Sequence, residues 1–106
     1  MLIVETPIFT RHVVSLLNDD EYRDLQGLLA IRPEMGPVIP GSGGLRKVRW
    51  SIAGRGKRGG VRVIYYWAPK VDTILMLYIY PKNQKEDLTS KELKILRQII
   101  EEEYHG

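Results

Sequence analysis

The sequence contains no cysteine, which removes disulfide bonds, thiol nucleophiles and thiolate-held metals from consideration together. It has no long apolar run either. The longest uncharged apolar stretch, Thr73 to Pro81, falls far short of the roughly 20 residues that a membrane-spanning helix requires, so no membrane association is expected. Histidine is scarce. His12 lies near one end and His105 near the other, and both read as surface residues rather than as an acid–base pair. These two imidazoles and the scattered acids assemble no metal cluster, and neither a metal nor another cofactor is expected. The start MLIVETPIF puts Glu5 and Pro7 where a secretory signal needs a basic start and a longer apolar run, so a cytoplasmic protein is expected.

The most informative absence is local. Between Met35 and Val71 there is no Asp or Glu, while Arg46, Lys47, Arg49, Arg55, Lys57, Arg58, Arg62 and Lys70 all fall there. The net charge is only +3, so the one-sidedness lies in the distribution and not in the total. Like charges so gathered repel one another, and a polyanionic partner is a physical reason for keeping them; a solvated, solubilising surface is the alternative. The lack of acids in this centre also argues against a nuclease built on divalent metals. No repeat, low-complexity tract or linker interrupts the chain, and 106 residues with 43% hydrophobic content suit one folded domain over 1–106.

What is present reads as a succession of elements. Leu2, Ile3 and Val4 form a short strand, and Thr6-Pro7 offers a cap followed by proline at the first helical position. Phe9, Val13, Leu16 and Leu17 recur at helical spacing. A capping box, Asn18 with Glu21, opens a second helix with a stripe of Tyr22, Leu25, Leu28 and Leu29; Pro33 and the cluster Gly36 to Gly44 end it. From Leu45 the period becomes two: Lys47, Arg49 and Ser51 share one face, with Val48, Trp50 and Ile52 on the other. The loop AGRGKRGG, Ala53 to Gly60, reads as a hairpin tip. In the return strand Val61, Val63, Tyr65 and Trp67 alternate with Arg62, Ile64 and Tyr66, and after a turn at Pro69 to Asp72 the nearly continuous apolar run Ile74 to Tyr80 reads as a third, most buried strand. Thr89 and Glu92 form a second capping box ahead of a helix with a stripe of Leu93, Leu96, Ile99 and Ile100; Glu101 to Glu103 sit at its unfavourable dipole end, where fraying is expected. The predicted architecture is α+β: a short N-terminal strand, two helices, a three-stranded antiparallel meander and a C-terminal helix.

The segments GSGGLRKVRW, GKRGGVRVIYYW and LYIYPKNQKEDLT resemble the HigB-like toxins of the RelE/ParE superfamily, in a stretch running from the Tyr22 helix to the Lys94 helix. That resemblance implies a RelE-like fold, a small antiparallel sheet with helices against one face. It also implies a ribosome-dependent endoribonuclease that cleaves mRNA during translation, with a helix-turn-helix antitoxin encoded in the same operon. By the same resemblance Lys47 and Arg49 match the two basic positions of the first hairpin strand, and Arg62 the arginine of the second. Metal-free cleavage of RNA uses the substrate's own 2′-hydroxyl against the adjacent phosphorus. Arg suits a bidentate grip on phosphoryl oxygens, and a Lys among other cations can be tuned toward a base.

The chain departs from the family pattern in two places. Asn83 stands where related toxins carry a further arginine after the third strand, and Thr89 stands near the slot of the catalytic tyrosine. Lys82, Tyr80 and Tyr66 are candidate substitutes, leaving the general acid unassigned. Arg46, Arg55, Lys57, Arg58 and Lys85 are candidate contacts to RNA or the ribosome, by phosphate rather than base recognition. Each assignment has a bland counterpart: a polar face of a half-solvated strand for Lys47 and Arg49, a solubilising loop for Arg55, Lys57 and Arg58, plain packing or base stacking for Tyr80. Arg62, embedded in VRVIYY, is harder to account for without an anion or water opposite it. The glycine loops are not nucleotide-binding motifs: GRGKRGG lacks the hydroxyl residue after lysine, and GSGG lacks the dinucleotide spacing. Two other functions share the fold: a ParE-like gyrase poison without RNase activity, and a non-catalytic RNA-binding domain.

Overall fold

A computed structural model describes residues 1–51 and 60–105, the side chain of His105 excepted. The elements run β1 (Leu2–Glu5), α1 (Pro7–Leu16), α2 (Asp19–Ile31), β2 (Arg46–Trp50), β3 (Val61–Ala68), β4 (Thr73–Pro81) and α3 (Ser90–Ile100). Both capping boxes form, with Asn18 and Thr89 each exchanging hydrogen bonds with the glutamate three residues on. Thr6 caps α1, accepting from the Phe9 amide, and Pro7 opens the helix. The alternation predicted for the hairpin strands is present in β2 and β3, whereas Ile52 and residues 53–59 of the predicted tip lie outside the described residues, and α+β describes the fold.

The sheet has the order β1-β4-β3-β2. β2, β3 and β4 form the expected antiparallel meander, whereas β1 adds to β4 in parallel, with Leu2 opposite Thr73 and Glu5 opposite Met76. The sheet is therefore mixed. Helices cover both of its faces, not one as the resemblance implied. On one face Phe9, Val13, Leu25 and Leu29 from α1 and α2 pack on Val48, Val63, Tyr65, Met76 and Ile79. On the other, Leu96 and Ile100 from α3 pack on Leu45, Ile64, Leu75 and Leu77. A strand buried on both sides has no place for alternating polar residues, which explains the unbroken apolar run of β4.

Pairing shifts between Ile64, opposite Tyr78, and Tyr65, opposite Met76, leaving Leu77 as the extra residue of a β-bulge. The bulge turns Leu77 and Tyr78 toward the same side and resets the phase of the strand. Ile79 then faces α1 and α2, while Tyr80 faces the α3 side opposite Arg62. Thr6, itself buried, donates its hydroxyl to the Leu77 carbonyl at 2.9 Å and so ties the start of α1 to the bulge.

The turn after α2 is held by Tyr65. Its fully buried hydroxyl donates to the Pro33 carbonyl at 2.7 Å and accepts from the Gly36 amide at 3.0 Å. A Cβ at Gly36 would meet the Lys47 backbone and the Tyr65 ring at 3.0 Å, so a larger residue there must push this close approach apart. The C-terminal end does not fray as expected. It continues as a wide turn, Glu101–His105, with the Tyr104 ring 5.2 Å from that of Tyr66.

Thr6→Val removes both the cap and the bond to Leu77 while nearly preserving volume. Urea unfolding should show a loss of about 2 kcal/mol, the sum of a lost N-cap and a buried carbonyl left without its donor. A loss no larger than that of an exposed N-cap would mean that the tie to the bulge contributes nothing.

Candidate functional site

The two hairpin strands carry their cations to one place. Arg49 and Arg62 are directly opposite one another in the β2–β3 register, and Lys47 lies two residues before Arg49 on the same side. Tyr80 on β4 faces Arg62 from the other flank. All four therefore belong to the α3 face of the sheet, at the end that α3 does not reach.

That end is not the purely basic face that the acid-free run of the sequence suggests. Because α3 packs on this same face, the chain leaving β4 must pass over it to reach Ser90. In doing so it lays Glu86 and Asp87 on the cations. The Lys47 ammonium is 2.5 Å from Asp87 Oδ1, and Glu86 Oε1 bridges Arg62 Nη2 at 3.2 Å and Arg49 Nη2 at 3.5 Å. The acid-free centre of the sequence thus acquires acids in space. Asp87 shows the effect electrostatically: its hydrogen bond to Lys47, reinforced by the charges of Lys47, Arg49 and Arg62, holds its carboxyl below the usual carboxylate range.

The three cations differ in freedom. The Arg49 side chain is 66% exposed, that of Lys47 15% and that of Arg62 only 9%, so Arg49 lies largely in water while the other two are enclosed. Arg62 Nε is buried and has no hydrogen-bond acceptor among the described residues. A guanidinium N–H in that state is costly unless something else fills its line of approach.

The remaining candidates divide. Tyr80 is 1% exposed, and its hydroxyl donates to the Glu86 carbonyl at 3.3 Å, seating the loop. Lys85 pairs with Glu92 and lies 5.2 Å from the ring centres of both Tyr78 and Tyr80. Burial opposes its charge, yet the bond to Glu92 and the neighbouring charges raise its pKa on balance. It is occupied within the fold. Lys82 borders the cluster at the hairpin end, its amide bonding to the Gly60 carbonyl and its side-chain stem lying where a Cβ on Gly60 would be. Arg46 does not join the cluster. It neighbours Lys47 and so faces the other way, and its guanidinium donates to the carbonyls of Glu34 and Gly36 at 3.2 and 2.9 Å, clamping the turn after α2. Arg55, Lys57 and Arg58 lie outside the described residues. The described residues contain no group of three or more His, Asp or Glu suited to holding a metal ion, and no helix among them is long and apolar enough to cross a membrane.

Glu86 and Asp87 were missed in the sequence. A signal existed: if β4 is apolar on both faces, a helix must cover the second, and the connection to it must cross the cations.

A family model described as the RelE toxin of the RelE/RelB toxin–antitoxin system matches residues 33–104, well over half of the chain. The matched span holds β2 to β4, the Glu86–Asp87 loop and α3.

Burial, with the nearby Asp87 charge second, pushes the Tyr80 phenol from its ordinary 10.0 up to about 12. The unfolded chain loses this proton near pH 10 and the folded one only near pH 12, so the stability it contributes is complete below about pH 10 and drains away as pH rises through about 12. Burial raises Tyr22 and Tyr65 as well. Urea unfolding across that window should therefore fall more steeply with pH for the wild type than for Tyr80→Phe; parallel profiles would refute the assignment.

Proposed function

The chain belongs to the RelE toxin family of toxin–antitoxin systems, and from that premise we propose that it is an endoribonuclease that cleaves mRNA on the ribosome without a metal. Membership implies an antitoxin partner; the proposal adds that this partner is a helix-turn-helix protein from the same operon, as in the HigB-like branch, and that the toxin acts in the cytoplasm. The observation that carries the reading is the convergence of Lys47, Arg49 and Arg62 on two adjacent carboxylates, Asp87 for the lysine and one Glu86 oxygen for both arginines. Groups that hold two carboxylates in this way have the charge and the donor geometry to hold a phosphodiester.

In the proposed reaction the 2′-oxygen attacks the adjacent phosphorus as its proton passes to water. The bond from phosphorus to the 5′-oxygen breaks, and that oxygen takes up a proton, leaving a 2′,3′-cyclic phosphate and a free 5′-hydroxyl. Arg62, held in one orientation by the sheet, grips one phosphoryl oxygen. Arg49, the most exposed of the three, grips the message from the solvent side. Lys47 adds its ammonium charge where the dianionic phosphorane develops. Lys82 borders this set and is assigned to the message's backbone, and Tyr80 supports Arg62 and the loop from beneath. Arg55, Lys57 and Arg58 are assigned to ribosomal or message phosphates, where binding depends on salt and not on sequence. Positioning by the ribosome supplies the remainder of the rate.

Purified protein should cut message only when translating ribosomes are present, as mapped 5′ ends will show. Arg62→Gln should lower cleavage roughly 100- to 1,000-fold, the usual cost of removing one donor to a developing oxyanion, with the circular dichroism spectrum retained. Intact message with and without ribosomes would overturn the proposal, and DNA-damage signalling without loss of message would point instead to gyrase poisoning.

A further inference from the structure

The loop that crosses the cations does more than connect β4 to α3. Three features distinguish Glu86 and Asp87 from ordinary surface acids. They engage all three members of the cluster, Glu86 by one oxygen shared between two arginines. They themselves remain open to water, with side chains 60% and 74% exposed, so an anion arriving from solvent reaches the same cations from the same side. The loop that bears them is fixed at both ends, while its middle is tied to the sheet, apart from these ion pairs, by the long 3.3 Å bond from the Tyr80 hydroxyl to the Glu86 carbonyl. Lys82 bonds to Gly60 and the Gln84 amide to the Pro81 carbonyl at one end, while Lys85 with Glu92 and the Thr89 cap hold the other.

Arg62 supplies an independent observation. Its Nε, more than nine-tenths buried, has no acceptor among the described residues even with Glu86 in place. The carboxylate thus satisfies the guanidinium only in part. A tetrahedral oxyanion, with more oxygens to share, meets the same donors more fully.

From these contacts we infer that Glu86 and Asp87 form an internal anion plug, occupying the phosphate site of Lys47, Arg49 and Arg62 in the free protein and yielding it to the RNA backbone when message binds. The inference rests on the reading of those three residues as a phosphate site. The plug screens a self-repelling cluster while the site is empty, and it lowers affinity for stray phosphates, so that only a strand presented in position displaces it.

Sulfate is the probe that separates the plug from the chemistry. The Arg62 Nε–H resonance, assigned by its loss in Arg62→Gln, would be followed during sulfate titration of the wild type, of Glu86→Gln/Asp87→Asn, and of Glu102→Gln/Glu103→Gln. The last pair carries the same change in net charge at a distance. The plug predicts a sulfate midpoint about tenfold lower in the Glu86/Asp87 variant than in the wild type, with little change in the distant pair. Equal midpoints, an equal shift in the distant pair, or no saturable response would overturn it, whatever the message assay gives. A lowered midpoint upholds it, and if neither protein then cleaves message on ribosomes, the nuclease reading falls while the plug stands.

Discussion

β3 and β4 pair along their whole length and are covered on both faces, by α1 and α2 on one side and α3 on the other. All but one backbone position along the pairing is committed to the ladder and nearly every side chain to a core, so the pair tolerates little variation in register. The one irregularity, the Leu77 bulge, is consequently decisive. Without it, strict alternation would turn Tyr80 toward α1 and α2 and leave Arg62 with a different neighbour. With it, the last residues of β4 change phase, and Tyr80 becomes the floor against which the Arg62 stem is held. The Thr6 bond to Leu77 anchors this irregularity from outside the strand.

A buried arginine in such a strand is poor material for stability. Desolvating its charge costs several kcal/mol before any partner is counted, and a half-satisfied guanidinium does not recover that. The exposed carboxylate of Glu86 is a weak partner, because water competes for it. A lysine would be cheaper to hold, since its flexible stem reaches water from shallow burial. A fork-shaped, permanently charged group fixed by strand geometry has its advantage in recognition, where each oxygen of a phosphate meets a donor already in position. The cost in stability at Arg62 is therefore best understood as preorganisation.

Much of this arrangement was legible in the residues. Thr6-Pro7, Asn18 with Glu21, and Thr89 with Glu92 mark helix starts through side chains that satisfy local backbone donors, and such signals need no tertiary information. The alternation that puts Lys47, Arg49 and Arg62 on one side is equally local. What escaped is non-local. Nothing in Leu2 to Val4 announces a parallel partner seventy positions away, and the bulge at Leu77 has no glycine or polar residue to mark it. Arg46, next to Lys47 in sequence, is turned away by the pleat and donates to carbonyls of the turn after α2. Proximity in sequence misled there, as it did for Glu86 and Asp87, which the chain separates from the hairpin and the fold returns to it.

The location of those acids has a logic of its own. A carboxylate built into β2 or β3 opposite Arg62 would neutralise the cluster permanently, because a strand residue cannot leave without breaking the ladder. A carboxylate on a connection between β4 and α3 is held by its own ion pairs, by the loop's ends and by the single bond from Tyr80 to the Glu86 carbonyl. It can be present when the site is empty and absent when an anion of higher charge density arrives, at the cost of a loop movement and not of a strand. The acid-free run from Met35 to Val71 and the acids just beyond β4 are then two parts of one constraint: cations on rigid elements, and their temporary counter-charge on the element that moves.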